Sequence, residues 1–134
     1  MAESLHASAI IRAFVAPERQ GRFLALLRSE HGREKLRRQL AHFGALDVRF
    51  AQRIAGPAQT PEGIARLLRA AGAPETCVLL AEDTALDGRT MQLEDALREV
   101  VGRGLAAFVS CVPGRLAYFE GEEAGARYLL RRSG

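Results

Sequence analysis

From residue 17 to residue 45 the apolar positions fall three and four apart, the spacing of one face of a helix. In "PERQGRFLALLRS" the face is Phe23, Leu24, Leu26 and Leu27, with Pro17 at a first helical position where its missing N–H costs nothing. His31-Gly32 interrupts the run, and "REKLRRQLAHF" resumes it with Leu36, Leu40 and Phe43. Two amphipathic helices with a short break predict a helical hairpin packed on something apolar. Ahead of them, "SAIIRAFV" (residues 8–15) is rich in β-branched and aromatic residues. That content favours a strand, with a helix running into the next segment as the alternative.

After residue 46 the rhythm changes. "DVRFAQRI" places Val48, Phe50 and Gln52 on one side and Arg49, Ala51 and Arg53 on the other, as in a half-covered strand. "TPEGIARLLRAAG" carries a helix signature: Thr60 as N-cap, Pro61 next, Gly72 as stop, and Ile64, Leu67, Leu68 and Ala71 inward. "TCVLLAE" is continuously apolar, as expected of a strand covered on both faces. Asp87-Gly88 marks a turn. "QLEDALREVVG" turns Leu93, Leu97, Val100 and Val101 inward, and "LAAFVSCV" and "RLAYFE" flank Pro113-Gly114. The tail "GEEAGARYLLRRSG" reads as a last strand or a short helix.

The expected fold is therefore α/β or α+β. A helical layer (residues 1–45) packs on a small mixed sheet (residues 46–134) built from β-α-β-α-β units and closed by an antiparallel hairpin. Each strand–helix–strand unit predicts a right-handed parallel crossover. One domain suffices for 134 residues.

Pro113-Gly114 is the signature of a type II turn, with a bulge as the way to reconcile it with strand twist. A two-residue turn would set Phe108 opposite Phe119, Val109 opposite Tyr118 and Cys111 opposite Leu116. Cys111 would then share a face with Val109, Leu116 and Tyr118, as a buried packing residue. It lacks the neighbouring cation or helix N-terminus that activates a nucleophilic thiol. Parallel strands would hold Cys77 and Cys111 near 20 Å apart, beyond the roughly 7 Å limit for a disulfide. Both are expected to be reduced.

Charge changes the picture modestly. The formal net charge is +3, but ten cationic side chains face five acids in residues 1–54, four face eight in 55–100, and five face three in 101–134. Arg33, Arg37, Arg38, Arg49 and Arg53 form a basic stripe able to contact nucleic-acid phosphates without reading bases. Pairing of Glu34 with Arg38 along a solvated helix is the plainer alternative. In parallel α/β sheets ligands collect beyond the carboxyl ends of the strands. That edge would gather Glu82, Asp83, Asp87, Arg89, Ser110 and Arg115, where acids could hold Mg²⁺ and arginines a phosphate. Solvated turn acids are the competing reading. His6, His31 and His42 lack zinc-ligand spacing.

No phosphate loop, dinucleotide-binding or nucleophile-elbow motif occurs in the sequence. No cofactor and no metal are expected. A leader-like segment and an apolar run long enough for a bilayer are not seen, so a cytoplasmic protein without membrane association is the expectation. Its function is expected to be non-catalytic: a protein-interaction or regulatory module with an unidentified partner or with itself. The alternatives are binding of the nucleic-acid backbone and Mg²⁺-dependent phosphate chemistry at Glu82 and Asp83.

Overall fold

The computed structural model describes residues 2–132, with side chains from residue 5 onward. Helix α1 runs from Ala2 to Phe14, so the segment at residues 8–15 is helical and not a strand. The reason lies one residue outside that window. Ala7, Ile10, Ile11 and Phe14 are all buried, the i, i+3, i+4, i+7 face of a helix, and burial outweighs the weak strand preference of isoleucine. Only Val15, just beyond the helix, makes an isolated β-bridge, to Leu46.

Helix α2 (Pro17–Leu26) begins at its proline and buries Phe23. Helix α3 (Glu30–Gln39) starts earlier than expected, because Ser29 caps it by accepting a hydrogen bond from the Gly32 amide at 3.0 Å. His31-Gly32 thus sits in the first turn of α3 and does not break the hairpin. Gly32 is where the two helices touch: a Cβ there would lie 2.2 Å from the Leu26 carbonyl oxygen.

The strand expected over residues 47–54 shrinks to β1 (Ala51–Arg53). Asp47 caps a single 3₁₀ turn over Val48–Phe50, accepting from the Arg49 amide at 3.1 Å, and so competes with extended pairing. Helix α4 (Pro61–Ala70) has Thr60 as its cap and buries Ile64, Ala65 and Leu68, whereas Leu67 is exposed. Strand β2 (Thr76–Ala81) is followed by a short strand that sequence reasoning missed, β3 (Thr90–Gln92). Helix α5 (Leu93–Val100), β4 (Ala107–Val112), β5 (Leu116–Glu120) and β6 (Arg127–Arg131) complete the chain.

These elements make a mixed α/β fold around one six-stranded sheet of order β1-β6-β5-β4-β2-β3. The expected parallel neighbours are absent: every adjacent pair of strands is antiparallel. Strand β3 is the cause. The turn containing Asp87 and Gly88 sends the chain back beside β2, so α5 begins at the end where β2 began. Running back along the sheet, α5 delivers β4 at the end where β2 finished, with Ala107 opposite Ala81.

Helices cover both faces. Cys77, Leu79, Ala81, Val109, Cys111, Leu116 and Tyr118 meet α4 and α5 on one side. Leu80, Phe108, Ala117, Phe119 and Leu130 meet α1–α3 on the other, with Phe43 against Phe108 at 5.6 Å and Phe119 at 5.8 Å. Burial on both faces explains why β2 and β4 read as unbroken apolar runs. At the β4–β5 hairpin, Phe108 faces Phe119 and Val109 faces Tyr118 as expected, but Val112 pairs with Leu116 and Cys111 is the extra residue of a bulge. Gly114 takes the positive φ of 72° that a type II turn requires. Cys111 keeps to the predicted face.

Candidate functional site

The arginines sort by what they touch. Arg33 and Arg37 on α3 both reach Asp87, at 3.1 and 3.5 Å, while the other Asp87 oxygen accepts from the Ala81 amide at 2.9 Å. Asp87 therefore ties α3 to the β2–β3 turn. Arg38 pairs with Glu34 at 3.6 Å and Arg49 with Asp47 at 2.7 Å. The hydrogen bonds from Arg49 hold the Asp47 carboxyl below the usual carboxylate range. Of the stripe expected from the sequence, Arg53 alone has no carboxylate partner among the described residues.

The expected ligand edge is dispersed. It presumed parallel strands, whose carboxyl ends converge; here β2 and β4 end at opposite edges of the sheet. Glu82 accepts from the Ala106 amide at 3.3 Å, and Asp83 from the Ala85 amide at 2.9 Å. Each carboxylate serves a different stretch of backbone, and Asp87 serves α3. Arg89 is exposed, its carbonyl accepting from the Leu79 amide. Ser110 is buried at mid-sheet, 1% exposed, with its hydroxyl 2.7 Å from His6 Nδ1. Burial lowers the pKa of His6, favouring the neutral ring. This serine–histidine contact joins α1 to β4, with Ser110 buried and His6 partly exposed. Arg115 stands at the far end of β4, at the hairpin turn.

Arg115 belongs to a different surface. An open groove of about 400 Å³ between α1 and the β4–β5 turn is lined by Arg12, Arg115 and Arg132 together with Ser8, Leu5 and Pro113. A second groove, of about 320 Å³, lies along α1 against α2 and α3 and shares Ser8 and Arg12 with the first. It adds Arg28 and Arg33. No carboxylate lines either groove among the described residues. Arg12, Arg28 and Arg115 also have no acidic partner among them. Arg132 is held in place, donating to the Ala13 carbonyl at 3.1 Å and lying 4.4 Å from the Phe50 ring centroid. Sequence reading named Arg115 and Arg33 but placed them at other sites. Arg12 is not visible from the sequence as a groove residue, because residues 8–15 fit either a strand or a helix there.

A buried polar network also escaped detection. Glu120, 2% exposed, accepts from the Tyr118 hydroxyl at 2.5 Å, from Arg127 Nε at 3.1 Å and from the Gly102 amide at 2.7 Å. Arg127 donates onward to Gln59 at 2.7 Å. Burial first, then the bond to Glu120, raises the Tyr118 pKa well above its usual range. The signal was present: Glu120 shares the parity of Leu116 and Tyr118, which places a carboxylate on the core face. The network closes the sheet against the C-terminal end of α5.

Among the described residues no group of three or more metal-ligating side chains converges, and no helix is long and apolar enough to cross a membrane. No family model, no curated protein and no solved structure matches the chain.

Proposed function

We propose that this protein is a non-catalytic binding module whose ligand is the phosphate backbone of a nucleic acid, held along the exposed side of α1. The observation that supports this reading is the pair of adjoining grooves lined by Arg12, Arg28, Arg115 and Arg132 without a described carboxylate. Guanidinium groups bind phosphate oxygens bidentately, and three without an acidic partner among the described residues are ready to exchange water for phosphate. Neither groove has an aromatic side chain in its lining, so the contacts serve the backbone and not stacked bases. The reading centres on this set; of the basic stripe expected from the sequence, Arg33, Arg37, Arg38 and Arg49 have acidic partners, Arg53 has none among the described residues, and Arg33 also lines the second groove.

Labelled single- and double-stranded DNA and RNA, titrated at two salt concentrations, test the proposal. Three to four phosphate contacts weaken binding on the order of tenfold to a hundredfold between low and moderate salt, with little dependence on sequence. The triple variant Arg12→Glu/Arg28→Glu/Arg115→Glu is expected to abolish binding, and Arg38→Glu to leave it intact. Absence of wild-type binding at low salt defeats the reading. A protein partner would then be sought at the groove of about 470 Å³ beside β1, where Val48 is 83% exposed next to Phe43, Phe119 and Tyr128.

A further inference from the structure

Cys77 and Cys111 are neighbours, contrary to the separation that parallel strands implied. Both are free, buried, and turned toward α4 and α5 in the same apolar cluster. The ladder fixes their relation. Glu82 donates directly across to the Ala106 carbonyl at 3.0 Å, whereas Leu79 and Ala81 direct their amides away from β4, to Arg89 and Asp87. Odd-numbered residues of β2 therefore occupy the non-hydrogen-bonded sites opposite β4. The paired ladder ends at Val78–Ser110, and Cys77 and Cys111 are the next residue on each strand, on the same face of the sheet. In a regular ladder, residues at such a non-hydrogen-bonded site have Cα atoms about 4.5 Å apart, inside the roughly 4.4–6.8 Å window of a disulfide, and each of these two is one residue beyond the last paired position.

We propose that Cys77 and Cys111 are a cross-strand oxidation site, which closes a disulfide between β2 and β4 when the protein meets a low-molecular-weight disulfide. Two S–H bonds break and one S–S bond forms; the two protons and two electrons pass to the oxidant, which leaves as two thiols. A mixed disulfide on one cysteine is the intermediate, and the second thiol displaces it. Access comes from position. The paired ladder between β2 and β4 ends at Val78–Ser110, and the bulge at Cys111 breaks the β4–β5 register beside the hairpin turn. The end of a sheet opens more readily than its centre.

Burial pushes both thiols up to about 12, and the proximity of Cys77 adds to the rise at Cys111. The attacking species is the thiolate. Cross-linking of the folded protein is therefore slow near neutrality and accelerates by about tenfold per pH unit up to roughly pH 11.

The test is incubation of the folded protein with oxidised glutathione, with circular dichroism confirming the fold throughout. The expected product is a monomer that has lost two hydrogens and both alkylatable thiols. A non-reduced digest should link the Cys77 and Cys111 peptides, and the melting temperature should rise by on the order of 5 °C. Cys77→Ala should give only a glutathione adduct at Cys111. Two thiols that persist, glutathione adducts that never resolve to a cross-link in the wild type, or a cross-link formed only in denaturant would each overturn the proposal.

Discussion

At the scale of single residues, the most consequential side chain is Glu120. Its carboxylate is enclosed by Tyr118, Arg127 and the Gly102 amide, so its charge is tolerated only because every neighbour donates to it. Arg127→Met removes the one cation and leaves a buried anion. The expected loss is about 3–5 kcal/mol in urea unfolding. Adding Glu120→Gln should restore part of it, so that the double variant is more stable than the two single losses predict when summed. An additive double variant would show that Arg127 acts independently of Glu120. This network was half legible: strand parity turned Glu120 inward, but its partner lies seven residues on, in a tail read as strand or helix. Cross-strand pairing of Glu120 with Arg127 depends on the β5–β6 register, which nothing local specifies. Arg12 was lost for the opposite reason. An eight-residue window cannot separate helix from strand when the residue that completes the helical face, Ala7, lies just outside it.

Among elements, the α2–α3 hairpin separates two roles for glycine. Gly21, inside α2, has open space where a Cβ would project, whereas at Gly32 the Leu26 backbone leaves none. Replacing Gly21 by alanine should stabilise by up to about 1 kcal/mol, the helix-propensity gain alone. Gly32→Ala has the same propensity gain but must push α3 away from α2, so a net loss of about 1–3 kcal/mol is expected. Thermal melts of the two variants should move in opposite directions; a shift of the same sign would mean that the hairpin is held elsewhere. Helix α4 is readable because cap, spacing and stop agree, and α5 from its spacing and stop alone, since Gln92 provides no side-chain cap. The break of the hairpin lies ahead of His31-Gly32, because Ser29 caps α3 and the glycine falls inside its first turn. Strand β3 is only three residues long, below the length at which alternation is visible, and its omission reversed β4 relative to β2 and separated two cysteines that in fact adjoin.

Over the whole molecule, charge follows the fold and not the chain. The acid-rich middle of the sequence supplies Asp87, Glu94, Asp95 and Glu99, which pair with arginines from α3, α4, α5 and the segment after α5. Arg12, Arg28 and Arg115, which have no described acidic partner, gather around α1, while Arg53, Arg66 and Arg89, likewise without one, lie on β1, on α4 and ahead of β3. Asp87 sits at the boundary between these regimes. It holds Arg33 and Arg37, and Arg33 also lines the groove along α1. Asp87→Asn preserves size and an acceptor for the Ala81 amide but deletes the negative charge. Two consequences should appear together. Stability falls by about 1–3 kcal/mol, because partly buried guanidinium groups lose the Asp87 carboxylate. Nucleic-acid affinity rises, with a salt dependence steeper by about one phosphate contact, because positive charge beside the groove is no longer cancelled. Salt titrations of binding, set beside urea unfolding of the same variant, measure both. Lower stability with unchanged binding would place the ligand away from Arg33, confining it to the groove formed by Arg12, Arg115 and Arg132. A gain in affinity would make Asp87 the residue that trades binding strength for a fixed α3.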